Sequence, residues 1–92
     1  MYSFTHYLVM YDIADSSRAV KVLAILRCYC HHVQNSIFEG KLRKSQLYEL
    51  KDKLESAISL DEDSVLIYPL SYLNLFNKIS LGKPRFRKGM IF

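Results

Sequence analysis

The chain has 92 residues, half of them hydrophobic, with thirteen Lys and Arg against nine Asp and Glu for a formal net charge of +4. That length suits one hydrophobic core rather than two, and three Gly with two Pro exclude a disordered or low-complexity chain. No apolar run approaches the roughly 20 residues of a membrane helix, the N-terminal MYSFTH lacks a signal-peptide pattern, and the protein is expected to be cytoplasmic with no membrane partner.

Phe4 to Ile13 (FTHYLVMYDI) is rich in β-branched and aromatic residues, holds no Gly or Pro, and predicts a central strand. Asp15, Ser16 and Ser17 offer N-caps, and Ala19, Val22, Leu23, Leu26 and Cys30 recur at three-and-four spacing, predicting a helix over residues 17–30. Val33 to Glu39 (VQNSIFE) predicts a second strand that stops at Gly40, with Lys41 to Lys44 a polar connection able to extend a further strand. Ser45 is the next N-cap candidate, and Leu47, Leu50, Leu54 and Ile58 mark the apolar face of a second helix. Asp61, Glu62 and Asp63 form a charged turn, Ser64 to Tyr68 (SVLIY) predicts a strand, and Pro69 is expected to end it because proline cannot donate to a ladder. A short helix is expected within residues 71–80. Gly82 and Pro84 then break the pattern, and the apolar triplet Met90, Ile91, Phe92 is expected to pair as a strand.

This order predicts an α+β, ferredoxin-like βαββαβ fold with both helices on one face of an antiparallel sheet. Residues 1–92 form one domain in this reading, with 78–92 a basic extension that ends in a strand. A sheet covered on one face only leaves the other for a second copy, so a homodimer is expected.

The positive excess is local. Residues 1–77 hold eight bases and nine acids, whereas 78–92 hold five bases and no acid; between Arg18 and Lys44, six bases face the single acid Glu39. Clustered bases are the electrostatic footprint of a phosphate-binding surface, although a solvated face accounts for the charge equally well. Asp12, at the C-terminal end of the first strand, is a carboxylate that a sheet could hold in place for Mg²⁺, doubled across a two-fold axis; the alternative is that Asp12 or Asp15 orders the turn into the helix. Cys28, Cys30, His31 and His32 crowd into five residues, but Cys28 and Cys30 point to nearly opposite sides of a helix and His6 alone stands elsewhere, so packing thiols fit better than a zinc site. No Ser-His-Asp arrangement or phosphate-cradling Gly loop is present, which leaves phosphodiester chemistry or binding.

With these landmarks placed, the chain resembles the CRISPR-associated protein two family, the small subunit of the spacer-acquisition machinery. The resemblance rests on Tyr11-Asp12-Ile13, on Arg18 and Lys21, on the VQNSIFE block, on the Leu47 to Leu54 helix and on Asp63 to Leu70 (DSVLIYPL). It implies a homodimer whose C-terminal strand pairs with the partner protomer's sheet. It also implies an integrase dimer and a duplex DNA spacer precursor as partners, with RNA or DNA cleavage dependent on Mg²⁺ or Mn²⁺ as a separate activity. By position, Asp12 matches the metal-binding aspartate, with Tyr11 beside it and Phe38 an aromatic of the active cleft. Arg18, Lys21, Lys41 and Arg43 match basic positions along the nucleic-acid path, to which the tail residues Arg85, Arg87 and Lys88 add. Two departures stand out: Cys30 where a glycine is common, and His32 where an arginine is common. A neutral imidazole is a weaker phosphate ligand than arginine, whose guanidinium is always charged. The competing assignment is a toxin-like messenger-RNA interferase of the same fold, since this fold hosts unrelated functions.

Overall fold

The computed structural model describes residues 3–71 together with Ile79 and Leu81. The elements run β1 (Thr5–Asp12), α1 (Ser16–Tyr29), β2 (His31–Gln34), β3 (Ile37–Leu42), α2 (Lys44–Ala57) and β4 (Ser64–Leu70). The four strands lie in the order β2-β3-β1-β4 with every neighbouring pair antiparallel, which is the ferredoxin-like arrangement. The terminal strand expected at Met90 to Phe92 lies outside the described residues, as do Arg85, Arg87, Lys88 and nearly all of the helix expected within 71–80.

The middle of β1, Tyr7 to Tyr11, is an apolar run, as suits a central strand paired with β3 on one side and β4 on the other. Val9 stands opposite both Phe38 and Ile67, and it is fully buried together with Phe38 beneath Val22 and Leu26 of α1 and Leu50 of α2. Removing side chains of this size from water contributes about 1.5–3 kcal/mol each. Tyr7 and Tyr11 pack against the same core, so the two-residue period of a strand turns His6, Leu8, Met10 and Asp12 to the face without helices.

Three local expectations are corrected. VQNSIFE is not one strand: it folds as a hairpin in which β2 ends at Gln34 and β3 starts at Ile37. Asn35 takes φ 45°, a left-handed conformation that asparagine tolerates better than most residues, and the His32 Nε2–H donates to the Asn35 carbonyl at 2.5 Å to clip the turn. Lys41 and Leu42 belong to β3, and α2 is capped from Arg43 rather than Ser45; the Arg43 backbone N–H donates to Gln46 Oε1 at 2.8 Å, one arm of a capping box. Pro69 does not end β4, which continues to Leu70 with Pro69 opposite Tyr7. β4 is an edge of the described sheet, and an edge strand tolerates a residue without an N–H.

α1 starts as expected at an Asp15 cap, whose carboxylate accepts the Arg18 N–H at 3.0 Å and the Ser17 hydroxyl. These bonds, the Ser17 hydroxyl first, hold the Asp15 carboxyl below its ordinary pKa. At the other end of α1, Cys28 is exposed and Cys30 is buried, both as free thiols, and burial pushes the Cys30 pKa up to about 11. Cys30 fits because Gly40 faces it across β3: a Cβ on Gly40 would stand 2.7 Å from Cys30 Sγ and 3.2 Å from the Tyr29 carbonyl oxygen. The pair trades volume, one residue having a side chain where the other has none. Gly40→Ala is therefore expected to destabilise the protein by about 1–3 kcal/mol in urea unfolding, and a Cys30→Gly background is expected to remove most of that loss. Equal losses in both backgrounds would show that the two positions are not coupled.

Candidate nucleic-acid and metal site

Three contacts fix the end of β1. The Tyr11 N–H donates to the Ser36 carbonyl at 3.1 Å, Asp12 lies opposite Ser64 of β4, and the Ala14 N–H donates to Asp63 Oδ1 at 2.9 Å. Asp12 thus leaves the sheet at a defined point, exposed, on the face opposite the helices. No three His, Cys, Asp or Glu side chains converge on a common point among the described residues.

Asp63 holds the junction behind it. Its side chain has no exposed surface and accepts four hydrogen bonds: from the Ala14 N–H, from the Ser59 N–H at 2.8 Å, and from Arg18 Nε and Nη2 at 2.7 and 3.2 Å. Arg18 also reaches Glu62 at 3.0 Å. The guanidinium is the main reason that the Asp63 carboxyl is held far below the usual carboxylate range, with the two backbone N–H groups helping against the cost of desolvation. The same fork raises the Arg18 pKa. Arg18, placed by sequence on the nucleic-acid path, here ties α1 to the loop between α2 and β4 and so orders the segment that follows Asp12.

The remaining candidates fall into separate places. Phe38, matched by resemblance to an aromatic of the active cleft, has no exposed surface in a single chain and packs in the core, with the His32 ring stacked 4.7 Å and the Tyr11 ring tilted 6.2 Å from its own. Tyr11 is half-buried beside it, and the partly buried His32 stacks on Phe38 and bonds the Asn35 carbonyl. Lys21 lines a shallow groove between α1 and α2 with Ile25, Asp52 and Lys53, on the opposite side of the sheet from Asp12. Lys41 lies opposite His6, six residues or roughly 20 Å along β1 from Asp12. There Lys41 Nζ stands 5.0 Å and Arg43 Cζ 5.8 Å from the centre of the Phe4 ring. The sequence reading missed the anchoring role of Asp63 and the parts played by Phe4 and Asn35. An Asp63–Arg18 pair is 45 positions apart, and no local spacing marks it.

The chain matches the family model described as CRISPR associated protein Cas2 over residues 5–77. It is 38% identical to a CRISPR-associated endoribonuclease Cas2 of Synechocystis sp. over 82 residues, covering 89% of each chain. It is 35% identical to one of Thermotoga maritima, with 92% of this chain and 97% of that one covered. A solved structure titled as the crystal structure of cas2 superposes with a TM-score of 0.81 at 38% identity, covering 98% of this chain and all of the other. No helix among the described residues is long and apolar enough to cross a membrane.

Because the Asp63 pKa is depressed by folding, its contribution is complete above the unfolded value of about 3.9 and is lost as pH falls toward the folded value. Asp63→Asn is expected to lower the melting temperature at pH 7 by roughly 5–10 °C. It is also expected to flatten the fall in stability below about pH 4, measured by circular dichroism melts in an acid series. A variant that melts like the wild type throughout that series would remove Asp63 as the anchor.

Proposed function

The chain belongs to the CRISPR associated protein Cas2 family, and on that footing we propose that it is a dimeric nucleic-acid-binding protein of CRISPR adaptation in which two Asp12 carboxylates share a divalent cation. The observation that carries this is the helix-free face of the sheet. Leu66 and Tyr68 in the middle of β4 are each 47% exposed, and Leu8, Met10 and Ile37 lie on the same face outside the helix-packed core. Apolar groups in a continuous sheet face are suited to a second copy of the same face.

Asp12 lies at the end of that face, one strand over from the exposed Ser64. A two-fold pairing of sheets would bring the two Asp12 side chains to a shared site, providing the second carboxylate that one chain lacks. A bound Mg²⁺ or Mn²⁺ would polarise a phosphodiester and activate a water. The chain's own part is to aim the carboxylates, through the Ser36 and Asp63 contacts that fix both sides of Asp12, and to hold the substrate by phosphate contacts that ignore sequence. Lys41 and Arg43 serve that binding, joined by the basic tail of residues 78–92. Duplex DNA spacer precursors and a CRISPR integrase dimer are the proposed partners, with the endoribonuclease activity named for its relatives as the proposed chemistry. No observation here favours the messenger-RNA interferase assignment.

Binding and cleavage are separable by experiment. If about five phosphates are contacted, the logarithm of the duplex affinity falls against the logarithm of salt concentration with a slope of about −4 to −5, and a flat response contradicts phosphate binding. Asp12→Ala is expected to bind with unchanged affinity and to lose Mg²⁺-dependent cleavage of single-stranded RNA or duplex DNA. If cleavage persists in that variant, Asp12 does not hold the metal; if neither protein cleaves and both bind, the protein is a scaffold and Asp12 has a structural role.

A further inference from the structure

Exposed aromatic rings with cations resting on them cluster at the end of the sheet away from Asp12. Phe4, just before β1, is 47% exposed beneath Lys41 and Arg43, at 5.0 and 5.8 Å. Tyr48, on α2, is 52% exposed and flanked by Lys44 Nζ at 5.8 Å and Lys51 Nζ at 5.7 Å. Arg43 and Lys44 are consecutive where β3 passes into α2, so the two groups adjoin at that junction. Of the acids near it, Glu49 accepts from the Tyr29 hydroxyl at 2.5 Å and Glu39 is buried, while Asp52 and Glu55 are exposed further along α2.

Lysines alone would suffice to grip a duplex, whose bases are stacked on one another and offer no face to a protein ring. The two exposed rings suit a ligand with unpaired bases. We infer that the strip from Phe4 to Lys51 binds single-stranded nucleic acid, with bases stacked on Phe4 and Tyr48 and phosphates held by Lys41, Lys44 and Lys51. This rests on the nucleic-acid-binding function proposed above and narrows its substrate. An exposed cation–π contact is weaker than a base stacked on an aromatic ring, so each ammonium can swing from the ring to a phosphate as a base takes its place. The cations that now cover the rings thus become the phosphate ligands of the bound strand. The position also separates holding from chemistry: the strip lies at the Lys41 end of β1, whereas Asp12 closes the other end.

The test is fluorescence anisotropy with oligonucleotides of about 12 units: deoxythymidine, uridine, an abasic strand and a duplex. Phe4→Ala and Tyr48→Ala are each expected to weaken binding of the base-bearing single strands about tenfold and to leave the duplex and the abasic strand unchanged. Tyr48→Phe retains the ring and is expected to bind like the wild type, whereas Tyr48→Leu retains apolar bulk without a ring and is expected to bind like Tyr48→Ala. Because the rings carry no charge, their loss should not alter the salt slope, whereas Lys44→Ala should reduce the slope for a single strand by about 0.7. A larger effect with deoxythymidine than uridine, or the reverse, assigns DNA or RNA as the preferred strand. Equal weakening on duplex and single strand, or none on the single strand, overturns the inference while leaving duplex binding intact as evidence for the proposed function. Failure of the wild type to bind any of the four probes overturns both. Circular dichroism melts superimposable on the wild type exclude misfolding as the cause, both rings being half exposed.

Discussion

A sheet with both helices on one side has two faces under different demands, and the strict two-residue alternation of β1 serves both. Tyr7, Val9 and Tyr11 meet the helices, while Leu8, Met10 and Asp12 meet whatever lies on the other side. A shift of one residue would exchange the two sets, exposing Val9 and burying Asp12. Register is therefore the constraint on which the rest depends. It is set by pairing on both edges of β1, with Val9 opposite Phe38 and Ile67, and by closure of the strand end through the Ser36 carbonyl.

Asp63 extends that control past the end of the strand. A carboxylate without exposed surface must be satisfied by hydrogen bonds, and here Ala14 and Arg18, at the passage from β1 into α1, donate from 45 or more positions away, while Ser59, just past α2, donates locally. The result is a fixed frame around Asp12 and a division of labour among the charged residues. Arg18 is structural, Lys21 belongs to the helical layer, and Lys41 and Arg43 gather with Phe4 at the far end of β1. The acidic and basic-aromatic regions thus occupy opposite ends of one sheet.

Much of this was legible from residue types. The apolar run of β1, the three-and-four spacing of both helices and the β-branched run of β4 give the element order, and element order gives the ferredoxin-like layout. What was not legible depends on contacts across distance or on backbone geometry. The turn inside VQNSIFE rests on a left-handed Asn35, which a residue pattern rich in strand formers conceals. Pro69 looked like a terminator because its edge position is a property of the sheet, not of its neighbours in sequence. Phe38 could be aligned with a cleft but not shown to be buried, since burial depends on the helices placed over it. Cys30 and Gly40 are ordinary residues separately, and their fit appears only when α1 and β3 are packed together.

The central claim is that the Asp12-bearing face functions as a pair. Sedimentation equilibrium combined with Mn²⁺ titration followed by electron paramagnetic resonance tests it on the wild type and Leu66→Arg, which places a charge in the middle of the exposed sheet face. The account predicts a wild-type dimer that binds one Mn²⁺ per pair of chains. It predicts that Leu66→Arg is a folded monomer that has lost that binding. A Leu66→Arg monomer that binds Mn²⁺ as tightly as the wild type, or a wild type that is monomeric while binding the metal, would contradict it.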